Sequence, residues 1–400
     1  MKKTIQRPHY MEKIKPFMDK DIIKVLVGQR RVGKTCFLHQ IMDAIKDQHP
    51  ESNIIYVNKE LYEFDSIRDY HDLMQYIHTK KTPTGKSCIF IDEVQEIEQF
   101  EKALRSLHAE GGYDIYCTGS NAKLLSGELA TYLSGRYIEI KIFSLSYPEF
   151  LNFHQLKNTQ DALLKYIKYG GLPYLIHLQL EDRIVYDYLK NVYHTILLKD
   201  VVARYQIRNV AFLENLVNYL ADNTGSIVSA KRISDFLKSQ RIKISPNIVL
   251  NYLSYLTSAF FVFKVPRAEV SGRKIFEIGE KYYFEDLGLR HVIMGYQQRD
   301  INKVLENLVF NHLTVSGYQI TVGKMGSKEI DFVATRNGEK IYVQVAYLIP
   351  DDTVWDREFG NLLAIKDNYP KMVVSMDEMA GTPYQGIRHI PIRDFLSEYR

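Results

Sequence analysis

Cysteine is scarce in this chain: Cys36, Cys88 and Cys117 are the only three in 400 residues. So few, so spaced, they exclude a disulfide framework and fit no zinc pattern, and all three read as small core residues. Net charge is also small, +4 at pH 7, so the chain as a whole is no polycation and any nucleic-acid footprint must be local. No apolar run approaches the roughly 18 residues of a membrane span, and the opening MKKTIQRPHYMEKIKPF lacks the apolar core of a signal peptide. The expectation is a cytoplasmic protein with no membrane contact. Repeats, low-complexity tracts and Gly/Ser linkers are missing too, which predicts closely packed domains. What remains, 46% hydrophobic and 25% charged residues over 400 positions, is ordinary globular composition sufficient for two or three domains.

A short amphipathic helix is expected at 11–18. After it, IIKVLVG (22–28), NIIYVN (53–58), SCIFID (87–92), DIYCTGS (114–120) and YIEIKIF (137–143) read as strands. Helical stretches separate them, which predicts an α/β fold with a parallel sheet covered on both faces. From Leu145 to about Gln206 the pattern is helical, broken at Gly170-Gly171-Leu172-Pro173. Further on, helices are expected over 212–222, 230–239 and 247–258, then the strands AFFVFKV and RKIFEIG. The tail mixes strands EIDFVAT, KIYVQVAYL and KMVVSM with helices at 301–316 and 358–368.

Gly28-Gln29-Arg30-Arg31-Val32-Gly33-Lys34-Thr35 matches G-x-x-x-x-G-K-[ST] between a strand and a helix, the context that the motif requires. Its glycines let backbone N–H groups curl round phosphate oxygens, and the helix N-terminus adds its positive dipole end. With the following Cys36 this segment is the candidate site for ATP; Lys34 would reach the β and γ oxygens and Thr35 would place its hydroxyl on Mg²⁺. Downstream, Asp92 and Glu93 end an apolar strand, where open parallel sheets bind ligands. Asp92 is suited to hold Mg²⁺ and Glu93 to polarise an attacking water. Glu96 and Glu98 read as surface.

The fourth strand ends at Thr118-Gly119-Ser120-Asn121, either a polar side chain delivered beside the γ-phosphate or a simple turn. Ser134-Gly135-Arg136 precedes the fifth strand; Arg136 is either an ordinary helix-end arginine or one offered in trans to a neighbouring site, which implies a homo-oligomer.

Together GQRRVGKT, IFIDEVQEI, TGSNAKLL, LSGRYIEIKIFSLSYPEF and YGGLPY resemble the prokaryotic AAA-type ATP-binding proteins that carry a C-terminal domain of unknown function. The resemblance implies an AAA+ P-loop core (1–144), a helical lid (145–206), a winged helix-turn-helix (207–281) and a restriction-endonuclease-like domain (282–400). It also implies that Gly33, Lys34 and Thr35 are Walker A residues, Asp92 and Glu93 Walker B, and Asn121 or Ser120 the sensor. Arg136 falls where an arginine finger is often kept, and Pro173 belongs to a lid motif that contacts the nucleotide.

Charge is uneven along the chain. Residues 1–150 carry 21 basic and 21 acidic side chains, residues 199–274 carry 12 and 5, and residues 285–400 carry 13 and 16. The basic middle coincides with the winged-helix order, and Lys231, Arg232, Lys238, Arg241, Lys243, Arg273 and Lys274 are its candidate contacts to double-stranded DNA. A packing or oligomerisation platform is the other reading. In the tail, Glu306, Asp331 and Gln344 are spaced like the metal-binding residues of a nuclease, but Ala346 replaces the lysine that would activate water, which predicts a degenerate site. The leading expectation is an ATP-driven switch that moves a DNA- or partner-binding module. An ATP-controlled DNA endonuclease and a signalling ATPase that acts without DNA are the alternatives.

Overall fold

The computed structural model describes residues 5–82, 86–122, 133, 135–239, 242, 244–270, 275–377 and 383–398. They fall into two compact units, Met1–Phe143 with Ser258–Phe260, and Ser144–Thr257 with Phe261–Arg400.

The first unit is built on the β-branched runs. Strands β1 (Ile23–Val27), β2 (Asn53–Asn58), β3 (Ser87–Asp92), β4 (Tyr113–Gly119) and β5 (Tyr137–Lys141) form a parallel sheet in the order β2-β3-β4-β1-β5. The three inner strands β1, β3 and β4 are buried at every position, mostly apolar as a sheet covered on both faces requires, with the buried Lys24 on β1 paired to Asp114 on β4. Helices α2 (Lys34–Gln48), α3 (Tyr70–Lys80) and α4 (Phe100–Glu110) supply the crossovers. The opening helix α1 spans Pro8–Ile14 rather than 11–18, and a 3₁₀ turn at Lys15–Phe17 follows it. Proline is tolerated in a first turn, so Pro8 starts the helix; Pro16 cannot extend it. Cys88 and Cys117 are core residues, but Cys36 is exposed on the first turn of α2, against expectation.

The second unit begins with helices α5 (Tyr147–His154), α6 (Gln160–Tyr169) and α7 (Asp182–Thr195), the last continued by a π-helical segment Ile196–Ala203. Then come α8 (Val210–Asp222), α9 (Ala230–Ser239) and α10 (Pro246–Ser258), close to the expected limits, with Ser229 Oγ capping α9 by accepting from the Arg232 N–H at 3.2 Å.

Strands β6 (Val262–Glu269) and β7 (Ile275–Phe284) pair antiparallel, with the register shifting at Pro266, which has no N–H to give. They do not stand alone. With β8 (Gln319–Met325), β9 (Lys328–Arg336), β10 (Glu339–Val345), β11 (Lys371–Ser375) and β12 (Arg388–Pro391) they form one sheet in the order β12-β11-β10-β9-β8-β6-β7. The boundary expected at 281/282 therefore falls inside β7. Helices α11 (Leu287–Met294), α12 (Ile301–Val315), α13 (Asp352–Leu363) and α14 (Ile392–Glu398) complete the unit. The helix expected at 358–368 starts six residues earlier, because Asp351 accepts the Val354 N–H at 3.0 Å and caps α13. No helix among the described residues is long and apolar enough to cross a membrane.

Candidate functional site

The motif loop joins β1 to α2 through three unusual backbone positions: Gly28 at φ +157°, Arg31 at φ +72° and Gly33 at φ +93°, the last capping α2. Lys34, buried, donates to the carbonyls of Gly28 and Gln29, each at 3.0 Å, and to Ser120 Oγ at 2.9 Å. Ser120 Oγ in turn donates toward Glu93 Oε1 at 2.9 Å, and Glu93 Oε1 lies 3.9 Å from the Lys34 ammonium. Gln95 also donates to Glu93. Burial pushes the Glu93 carboxyl up, but Lys34, Gln95, Arg30 and Ser120 together hold it below its ordinary value. Glu93 is thus held as a carboxylate at neutral pH, in a left-handed backbone at φ +56°.

Asp92 is fully buried at the carboxyl edge of the sheet. Thr118 donates to its Oδ1 at 2.5 Å and accepts the Glu93 N–H at 2.9 Å, so β4 fixes both acids. Burial raises the Asp92 pKa, opposed by the hydroxyls of Thr118 and Thr35 and then by Lys34. Among the described residues its Oδ2 has no hydrogen-bond partner, and neither polar atom of the buried Gln29 amide has one. An orphaned carboxylate oxygen beside the Thr35 hydroxyl is a donor set suited to a hard divalent cation, so the residues fit Mg²⁺.

The sequence-predicted residues Gly28, Gln29, Arg30, Val32, Gly33, Lys34, Thr35, Asp92 and Glu93 converge here. Arg30 is buried and pairs with Glu60 at 3.4 Å, whereas Arg31 points to solvent. Of the two sensor alternatives, Ser120 bridges Lys34 and Glu93; Asn121 is buried next to it. Thr118 was legible only as a polar strand end, and its role appears once β3 and β4 pair. Arg136 lies elsewhere. Its carbonyl accepts the Ile23 N–H at 2.9 Å at the start of β1, which puts this exposed arginine at the opposite edge of the sheet from Lys34. In its own chain it is not part of the site. Ser134 lies outside the described residues.

In the second unit, Gly171 donates to Asp286 Oδ2 at 2.7 Å, and Pro173 opens a 3₁₀ helix, Pro173–His177. Lys231, Arg232 and Lys238 are exposed on α9, while Arg241, Lys243, Arg273 and Lys274 lie outside the described residues. The tail residues Glu306, Asp331 and Gln344 do meet: Gln344 Oε1 accepts the Asp331 N–H at 3.3 Å, and Glu306 and Asp331 share the Lys281 ammonium at 2.7 and 3.6 Å. Lys281 is the member that sequence reading missed. Ala346 is buried where the lysine was expected.

An AAA domain model matches residues 20–151, and a model of a domain of unknown function (DUF8612) matches residues 160–300. The fold is similar to that of the Walker-type ATPase PABY2304 of Pyrococcus abyssi, at a TM-score of 0.50 and 14% identity over 73% of this chain and 96% of that one. The chain thus carries an AAA domain, a class of nucleotide-binding P-loop fold.

Within that class, the chain belongs to the family of an uncharacterized protein of Haemophilus influenzae, to which it is 38% identical over 99% of both chains. The uncharacterized protein MJ1544 of Methanocaldococcus jannaschii is 32% identical over 86% of this chain and 79% of its own.

Proposed function

We propose that the protein binds ATP with Mg²⁺ in the first unit and hydrolyses it to ADP and phosphate, and that nucleotide state governs a DNA- or partner-binding module in the second unit. The Lys34–Ser120–Glu93 chain carries the reading: a loop lysine and a strand-end acid share one hydroxyl, so a change at one is felt at the other. Lys34 would hold the β and γ oxygens, and Thr35 with Asp92 would hold Mg²⁺, which supplies charge neutralisation at the phosphates. Glu93, ionised and within reach of the same hydroxyl, would take a proton from water. Arg136, exposed, is available to a neighbouring copy. For the second unit, the exposed Lys231, Arg232 and Lys238 support double-stranded DNA as the partner.

Phosphate release by wild type and Glu93→Gln, with and without double-stranded DNA, tests this. Hydrolysis stimulated by DNA and lost in the variant, with ATP binding kept, supports the whole reading. Hydrolysis indifferent to DNA, and unchanged when Lys231, Arg232 and Lys238 are reversed to Glu, would move the assignment to a protein-partner ATPase. Absence of saturable Mg·ATP binding would remove it.

A further inference from the structure

The carboxylates of the tail look at first like a place for a divalent cation. Glu306 comes from α12, Asp331 and Glu329 from β9, and Gln344 from β10. A cation is already built in. Lys281, on β7 and only 3% exposed, sets its ammonium 2.7 Å from Glu306 Oε1, 2.9 Å from Glu329 Oε1 and 3.6 Å from Asp331 Oδ1. Strands β7 and β9 are not neighbours in the sheet, so side chains make the contact: Lys281 to Glu329 and Asp331, and the Tyr283 ring to Phe332 with centroids 5.7 Å apart.

Three further oxygen contacts hold the cluster. Tyr283 gives its hydroxyl to Glu306 Oε1 at 2.5 Å, and the Val345 N–H binds Asp331 Oδ2 at 2.9 Å. Gln344 Oε1 is spent on the Asp331 N–H. The turn at Gly225 packs directly over the carboxylate, since a Cβ built there would lie 3.0 Å from Glu306 Oε2. Among the described residues no group of three or more His, Cys, Asp or Glu has the arrangement of a metal site. The residues therefore do not fit the divalent cation that a nuclease of this layout requires.

We infer that Lys281 is a resident counter-ion occupying the place of that cation, which turns a nuclease-like centre into a metal-free structural joint between β7, α12 and β9. The physical reason is exclusion: an ammonium hydrogen-bonded to one carboxylate and ion-paired with two more takes the position where their charges converge, and a Mg²⁺ or Mn²⁺ ion would meet it as a like charge. Removing the lysine uncovers the acids. The inference is independent of the nucleotide site.

Nucleotide-free full-length protein titrated with Mn²⁺, the free ion followed by electron paramagnetic resonance, tests it in wild type, Asp331→Asn, Lys281→Met and the pair Lys281→Met/Asp331→Asn. The expected result is no Asp331-dependent Mn²⁺ binding in wild type, and a site at least about tenfold tighter in Lys281→Met that the added Asp331→Asn abolishes. Wild-type binding that disappears in Asp331→Asn overturns the inference, because the cluster would then be a metal site with the lysine as its companion. A Lys281→Met protein that folds but gains no binding also overturns it. Urea unfolding covers a variant too unstable to titrate: Lys281→Met/Glu306→Gln should have a higher midpoint than Lys281→Met, since one of three mutually repelling carboxylates is gone. A midpoint no higher overturns the counter-ion role.

Discussion

Ser120 Oγ sits 2.9 Å from Glu93 Oε1 and, on its other side, 2.9 Å from the ammonium of Lys34. One hydroxyl therefore couples the loop cation to the strand-end base. Loss of a hydrogen bond to a charged group costs about 1.5–3 kcal/mol, so Ser120→Ala should lower single-turnover ATP hydrolysis roughly ten- to hundredfold. Asn121→Ala should cost less. Equal losses in the two variants would count against Ser120 as the coupling group.

Gly28 is the position where the loop tolerates least. A Cβ there would lie 2.1 Å from the Ile142 carbonyl oxygen, so alanine must push the loop and the end of β5 apart. Strain of about 1–3 kcal/mol at a functional loop translates into a roughly five- to hundredfold weaker site. The expected outcome for Gly28→Ala is native circular dichroism with ATP affinity lowered by that factor in a nucleotide titration. Unaltered affinity would mean the loop can relax without moving its N–H groups.

Asp286 predicts a pH dependence. Its Oδ2 accepts the Gly171 N–H at 2.7 Å and its Oδ1 the Leu289 N–H at 3.1 Å, yet burial dominates and raises its pKa from 3.8 to about 6. A folded-state pKa above the unfolded one means that the folded chain holds the proton more tightly. Its contribution is therefore favourable at acid pH and is lost as pH rises through the window from about 3.8 to about 6. Asp286→Asn has no proton to lose. In urea unfolding, the stability of wild type minus that of Asp286→Asn should fall by up to about 3 kcal/mol across that window. A difference that stays flat would place the carboxyl in its ordinary range.

Much of the first unit was legible because its strands are rich in β-branched and aromatic residues and its glycines mark the loop. The second unit was less so. Strand β12 is four residues ending in Pro391, too short and too polar to register as periodic. Helix α11 contains Gly288, a poor helix former, and its use is visible only in three dimensions: a Cβ there would lie 2.1 Å from the Tyr169 carbonyl, so glycine permits the helix to close on α6. Cys36 was read as core from residue type alone, but burial is decided by which face of α2 meets the sheet.

The sequence by itself determined the nucleotide loop, the Asp92-Glu93 pair and the parallel sheet, because each is a local pattern in which backbone conformation and side-chain chemistry are written in adjacent residues. Only the tertiary structure decided which hydroxyl joins Lys34 to Glu93, which sheet edge carries Arg136, and that Lys281 stands among Glu306, Glu329 and Asp331. Those relationships join residues 25 to 113 positions apart in sequence, and a lysine in the run EKYYF carries no local mark of the acids it will meet.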